Sequence, residues 1–256
     1  MSAPVSPSKL PADRAPHRNR NLLMIAIAVI VIGGVAAGGY GLWYILIGPS
    51  APAAVSSAAP VIPASASVAA PASLDGTWNV NTTLGSIGDG TASFVGYRVQ
   101  EQLVGVGGHT AVGRTTSITG SMTLTGAVVS NVQITADLTA LTSDSPQRDN
   151  QLRTQALETG TYPTATFKTT GPIDLGALPA DGATVDVNAT GSLMLHGVTR
   201  TVTIALQASR QGGIIAVAGA LPIVFSDYSI QKPNSFSVLS VDDQGTMELH
   251  LLFTHA

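Results

Sequence analysis

Polar and apolar residues alternate along much of the chain, the period of a strand with one wet and one dry face. Val132, Ile134, Ala136 and Leu138 alternate with Asn131, Gln133, Thr135 and Asp137. Val185, Val187, Ala189, Gly191, Leu193 and Leu195 do the same against Asp186, Asn188, Thr190, Ser192 and Met194. Val202, Ile204, Leu206 and Ala208 repeat the pattern, as do Met247, Leu249, Leu251 and Phe253, whose opposite face carries Glu248 and His250. Residues 91–101, 114–125, 164–173 and 214–221 add strands, and 77–81 a short one, so about eight or nine are expected.

One helix interrupts the series. Ser145 can cap it, Pro146 takes the first helical position, residues 147–158 are rich in helix formers, and Gly160 ends it. A shorter helix or turn is expected near 225–230. Short links such as Thr125-Gly126, His196-Gly197 and Gly212-Gly213 suit antiparallel hairpins better than parallel crossovers. Strands of this kind either stack as a sandwich or close as an up-and-down barrel. The apolar face is mostly Val, Ala, Gly, Ile and Leu, and aromatic residues are only 5% of the chain. A barrel lined by such small side chains encloses an elongated apolar cavity, whereas interdigitating sandwich faces leave none. The pattern by itself leaves both open.

The first part of the chain reads differently. Residues 22–47 are 26 positions without a charge, against about 20 needed to cross a bilayer core as a helix. A cleaved signal has a shorter apolar stretch, of about 7 to 15 residues, so a retained single-pass membrane helix is expected. Lys9, Arg14, Arg18 and Arg20 precede it, and no charged residue follows until Asp75. The positive-inside bias places the N-terminus in the cytoplasm and everything after Ile47 outside it, at the cell membrane. Residues 1–21 read as a disordered cytoplasmic tail. Residues 48–74, almost all Ala, Ser, Val and Pro, read as a linker with no periodic apolar face. The folded domain is then 75–256.

Composition removes several function classes. There is no Cys, hence no disulfide framework, thiolate metal site or cysteine nucleophile. The domain 75–256 holds 8 Lys plus Arg against 14 Asp plus Glu, which gives no basic surface for nucleic acid. No G-x-S-x-G, H-E-x-x-H or P-loop is present, and the Gly clusters at 85–90 and 105–108 read as turns. His109, His196, His250 and His255 read as turn, surface or tail residues. Glu248 and His250 share a strand face, but two ligands are too few for zinc. No catalytic residue, metal or cofactor is expected, and the protein is not read as an enzyme.

Four strings, in order, resemble the YceI family of bacterial lipid-binding barrels. They are Trp78-Asn79-Val80 with the strand from Ser93-Phe94 to Val99; Gln147-Arg148-Asp149-Asn150-Gln151-Leu152-Arg153; Tyr162-Pro163-Thr164-Ala165-Thr166-Phe167; and the hairpin Gly191-Ser192-Leu193-Met194-Leu195-His196-Gly197-Val198-Thr199-Arg200. Where the common pattern has a histidine on the first long strand, this chain runs Arg98-Val99-Gln100-Glu101. The resemblance implies a mainly β protein: an extended eight-stranded antiparallel lipocalin-like barrel with one or two short helices, following the membrane helix. It also implies a long isoprenoid chain, of a polyprenyl lipid or quinone, held along the barrel axis.

Val132, Ile134, Val187, Leu193, Ile204, Leu249 and Leu251 are, by alternation, the candidate pocket lining, with Phe167 beside them. Arg148, Asp149 and Tyr162 are candidates for the barrel mouth, where Arg can grip a phosphate with two donors; the other reading is that Arg148 and Asp149 fix the helix over the barrel end. The expected function is a membrane-anchored extracytoplasmic protein that sequesters or carries an isoprenoid lipid. The alternative is a non-catalytic envelope interaction or stress-related module whose barrel is filled by its own side chains.

Overall fold

A computed structural model of the protein describes residues 51–55, 60–105, 107–233 and 238–256. The expected tail at 1–21 and membrane helix at 22–47 lie outside the described residues. Among the described residues no helix is long and apolar enough to cross a membrane.

The strands are β1 (Gly76–Val80), β2 (Phe94–Leu103), β3 (Gly107–Thr115), β4 (Ile118–Thr125), β5 (Val128–Asp137) and β6 (Thr142–Ser143). Helix α1 (Pro146–Gln151) follows and continues as a π-helical turn, Leu152–Ala156. Then come β7 (Thr164–Thr169), β8 (Ile173–Asp174), β9 (Thr184–Leu195), β10 (Val198–Gln211) and β11 (Ile214–Val224). A 3-10 turn, Phe225–Tyr228, precedes β12 (Val238–Val241) and β13 (Gln244–His255).

Every pairing is antiparallel, and the ring β1-β4-β5-β7-β9-β10-β11-β13 closes on itself through β1 and β13. This is an eight-stranded barrel, which decides against the sandwich. One edge of β13 is shared: residues 246–250 pair with β2 and 253–255 with β1. Since β1 pairs with β4 and β2 with β3, these four segments act as two wall positions, each in two pieces. The stretch 114–125, expected as one strand, is therefore broken. Thr115 Oγ1 accepts from Ser117 N at 3.1 Å, a local side-chain turn that competes with the sheet ladder. Likewise 164–173 divides at Thr170-Gly171-Pro172, where Pro cannot donate to a ladder, and β8 returns to pair with β5. Gly107 and Gly108, expected in a turn, instead open β3.

Two-residue hairpins form at His196-Gly197 and Gly212-Gly213 as expected, while the β4–β5 turn falls one residue later than expected, on Gly126-Ala127. Leu195 pairs with Val198 across His196 (φ 51°) and Gly197 (φ 73°), the left-handed pair that matches strand twist. Asn131, at φ 52° beside a register shift in the β4–β5 ladder, changes the parity of β5. Val129 and Val132, three apart, consequently both face the interior. Helix α1 starts as read: Ser145 Oγ accepts from Arg148 N at 3.3 Å, with Pro146 in the first turn. Glu158 at φ 43° ends the helical stretch.

The main core lies inside the ring, where Trp78, Met122, Ile134, Ile204, Leu251 and Phe253 form one buried cluster. A second apolar patch lies on the outer wall. There Ile214, Ala216 and Leu252 are covered by Ile62, Ala66, Val68 and Leu84. Pro60 and Pro63 are buried too, and Gly213 N donates to Val68 O at 2.9 Å. The described end of the linker thus lies along the barrel.

Candidate functional site

The interior of the ring is not filled. A first chamber of about 160 Å³ and a second of about 150 Å³ lie inside it and share Val95, Ala165, Leu193 and Met247 as lining. In the first chamber every lining residue is apolar except Thr166, Ser209 and Arg210. The residues read from alternation all stand on its wall: β5 supplies Val132 and Ile134, β7 Phe167, β9 Val187 and Leu193, β10 Ile204, and β13 Leu249 and Leu251. Leu178, 39% exposed, brings this wall to the protein surface beside Arg210. Apolar voids in proteins stay dry and accept hydrocarbon, so this chamber suits an apolar ligand.

The second chamber extends under α1 and the segment after β11. Leu152, Ala156 and Leu157 wall one side, Phe225 and Ile230 another, and its polar groups include Glu101, Arg148, Tyr97 and Lys232. Glu101 lies inside because β2 alternates, with Val95, Tyr97, Val99 and Glu101 facing inward and Arg98 outward. Arg148 Nη2 donates to Glu101 Oε1 at 2.6 Å, and Nη1 donates to Asp144 Oδ1. His109 Nδ1, across the ladder on β3, is 3.0 Å from Glu101 Oε1. Burial alone pulls the Arg148 pKa down, but the hydrogen bond and charge of Glu101, with Asp144, carry the net shift upward. Burial, the largest cause, pushes the Tyr97 phenol up although Arg148 and Ser143 oppose it, so its hydroxyl is neutral.

Of the three residues expected at a mouth, only Arg148 lines a chamber. Asp149 is buried and accepts from Ser143 N at 2.9 Å and Ser143 Oγ at 2.7 Å, so it ties α1 to β6. Tyr162 packs edge-on against His196, ring centroids 4.4 Å apart, and lines neither chamber. His196 holds a hairpin turn, as expected, but is buried, with Nδ1 3.0 Å from Tyr228 O and Nε2 3.1 Å from Glu158 Oε2. His250 is buried as well, with Nδ1 2.9 Å from Ala92 O. The burial of His250 within β13 corrects its reading as a turn, surface or tail residue; contact with a fixed carbonyl makes each burial tolerable. Among the described residues no group of three His, Cys, Asp or Glu is placed to hold a metal.

Reading the sequence missed Tyr97, Glu101 and Met247 as lining. The signal was present, since Tyr97 and Glu101 continue the parity of Val95 and Met247 shares the face of Leu249 and Leu251. Glu101 was hidden because a carboxylate at an inward position runs against the expectation of a wholly apolar face.

Comparison with known proteins agrees with this geometry. Residues 87–253 match the family model of the YceI-like domain. A UPF0312 protein of Vibrio parahaemolyticus is 31% identical over 129 residues, covering 48% of this chain and 61% of that protein. One of Vibrio campbellii is 30% identical over 132 residues with the same coverage, so the match spans 61% of each relative's length. A solved polyisoprenoid binding domain from Saccharophagus degradans, implicated in plant cell wall breakdown, has the same fold: TM-score 0.54 at 20% identity, covering 71% of this chain and 99% of that one. With residues 87–253, well over half of the chain, matched by the family model, and with all of the ring's strands but β1 in that segment apart from the end of β13, the chain belongs to the YceI-like family.

Proposed function

We propose that the barrel sequesters or carries an isoprenoid lipid, a polyprenyl lipid or quinone, with its chain in the first chamber. The observation that carries this is the unfilled interior walled almost entirely by apolar side chains. Each CH₂ moved there from water contributes about 0.8 kcal/mol, so a long chain binds tightly with few polar contacts. The Saccharophagus domain of the same fold is described as binding polyisoprenoid, which supports the class of ligand. The two chambers speak against an interior filled by its own side chains. Residues 22–47 would anchor the protein in the cell membrane, with the barrel on the extracytoplasmic side, next to the bilayer that supplies its ligand.

Native mass spectrometry of the full chain, followed by organic extraction, tests the binding. A bound species of one defined mass with an isoprenoid tail is the expected result. A chain that carries nothing, and stays unchanged in mass after incubation with polyprenols and quinones, refutes it. Protease digestion of intact cells and of inverted vesicles tests the orientation: the barrel is cut only from the outer side.

A further inference from the structure

The two chambers differ in their polar groups, and the difference bears on what stands at the end of the lipid chain. Three Lys or Arg side chains line them, and each is paired. Arg210 Nη1 is 2.7 Å from Asp181 Oδ1, Lys232 Nζ is 2.5 Å from Asp243 Oδ1, and Arg148 contacts both Glu101 and Asp144. Lys232 is also 45% exposed, so solvent already screens it. Arg148 is the most enclosed, its side chain 14% exposed against 18% for Arg210. Around it stand Glu101, Asp144 and, on the far side of Ser143, Asp149. Among the described residues, even with His109 protonated, this cluster holds more negative than positive charge.

We infer that the polar end of the second chamber takes an uncharged hydrogen-bonding headgroup, a hydroxyl or carbonyl on an apolar chain, and excludes phosphate and diphosphate. The inference deepens the lipid-binding reading above and rests on it. Phosphate is held by cationic donors whose charge is free to neutralise it. Here Glu101, only 7% exposed and on the inward face of β2, already occupies the Arg148 fork. A diphosphate would have to displace a buried carboxylate or sit beside it, and like charges at such range repel strongly where water is excluded. An uncharged headgroup meets no such barrier. The Tyr97 phenol on the same wall, beside Ser143, adds a neutral hydroxyl rather than a further charge to this end of the chamber.

The test uses the full chain and three probes that share one polyprenyl tail: the alcohol, the monophosphate and the diphosphate. The expected result is retention of the alcohol about tenfold or more over the diphosphate. Glu101→Gln removes one charge while keeping shape and a hydrogen bond, and is expected to move the diphosphate-to-alcohol ratio upward by about threefold or more. Because the ratio is read within one variant, a general loss of folding lowers both numbers and does not mimic the shift. Diphosphate binding as tight as alcohol binding, or an unchanged ratio in Glu101→Gln, overturns the headgroup assignment and leaves chain binding standing. Failure of all three probes overturns the lipid-binding reading, and the assignment with it.

Discussion

Glu248 on β13 accepts a hydrogen bond from Arg98 Nε on the neighbouring β2 at 2.9 Å, and Glu248 is only 1% exposed. The pair lies on the outer wall of the barrel, opposite the cavity, because Leu249 and Leu251 take the inward positions of β13. Arg114 Nη2 lies 3.7 Å from Glu248 Oε2, and its guanidinium stacks 4.1 Å over the Phe94 ring. The segment before the barrel completes the group: Val55 N donates to Glu248 at 3.3 Å, and Arg98 and Arg114 donate to Pro52 O and Ala53 O at 2.6 and 3.2 Å. One buried carboxylate thus joins β2, β3, β13 and the chain that precedes them.

Removing that charge leaves Arg98 and Arg114 facing each other without compensation. Breaking one side of a buried ion pair costs about 3 kcal/mol or more. Glu248→Gln is expected to lose about that amount in urea unfolding while keeping the cavity, because no inward side chain changes. A loss below about 0.5 kcal/mol would show that the strands hold without the pair.

The cavity can be filled from within. Ala189 on β9 is 2% exposed and stands on the wall of the first chamber. Ala189→Phe is expected to occupy this space and reduce lipid co-purification about tenfold or more, while far-ultraviolet circular dichroism keeps its β signature. Unchanged lipid content in the folded variant would place the ligand elsewhere.

Acid weakens the outer wall through His250. Burial, the largest cause, pushes its pKa below the ordinary 6.5, with Arg114 acting in the same direction and hydrogen bonding to Ala92 O only partly opposing them. Below about pH 6.5 the unfolded chain therefore binds a proton that the folded barrel resists. The stability this group contributes is complete above that pH and is lost as pH falls toward the depressed folded value, at most about 1.4 kcal/mol per pH unit. His250→Gln, which keeps a donor for Ala92 O, is expected to flatten this part of the profile in urea titrations run from pH 7.5 to 5. An equally steep fall in the variant would assign the effect to another group.

The segment along the outer wall depends on a glycine. A Cβ on Gly213 would come 2.3 Å from Ala69 O and 2.8 Å from Val68 Cγ1. Gly213→Ala is expected to push residues 66–69 off the patch formed by Ile214, Ala216 and Leu252, with faster proteolytic cleavage near Val68 as the readout. Cleavage at the wild-type rate would mean that the segment shifts to accept the methyl group.

Much of the barrel is legible in the chain. The inward residues of β9, β10 and β13 follow strict alternation, and the His196-Gly197 turn declares its hairpin because only a left-handed pair closes two residues with the right twist. The helix start is equally local, resting on Ser145 and Pro146. These features depend on a residue and its near neighbours, so sequence carries them.

Tertiary structure decided the rest. Alternation cannot say whether two dry faces meet or one sheet curls onto itself; closure came from β13 pairing with β1 and β2 on one edge, contacts about 150 residues or more apart. Long-range meeting likewise placed Arg148 on Glu101 and took Tyr162 to His196, while Asp149 turned back to Ser143, six residues before it. Residues adjacent in the chain were sent to different roles because a helix turns its neighbours to different faces. Sequence determined which side chains of β9, β10 and β13 point into the barrel. Only the fold determined that the barrel is closed, that its interior is left unfilled, and that the one arginine expected to meet a phosphate already has its charge balanced.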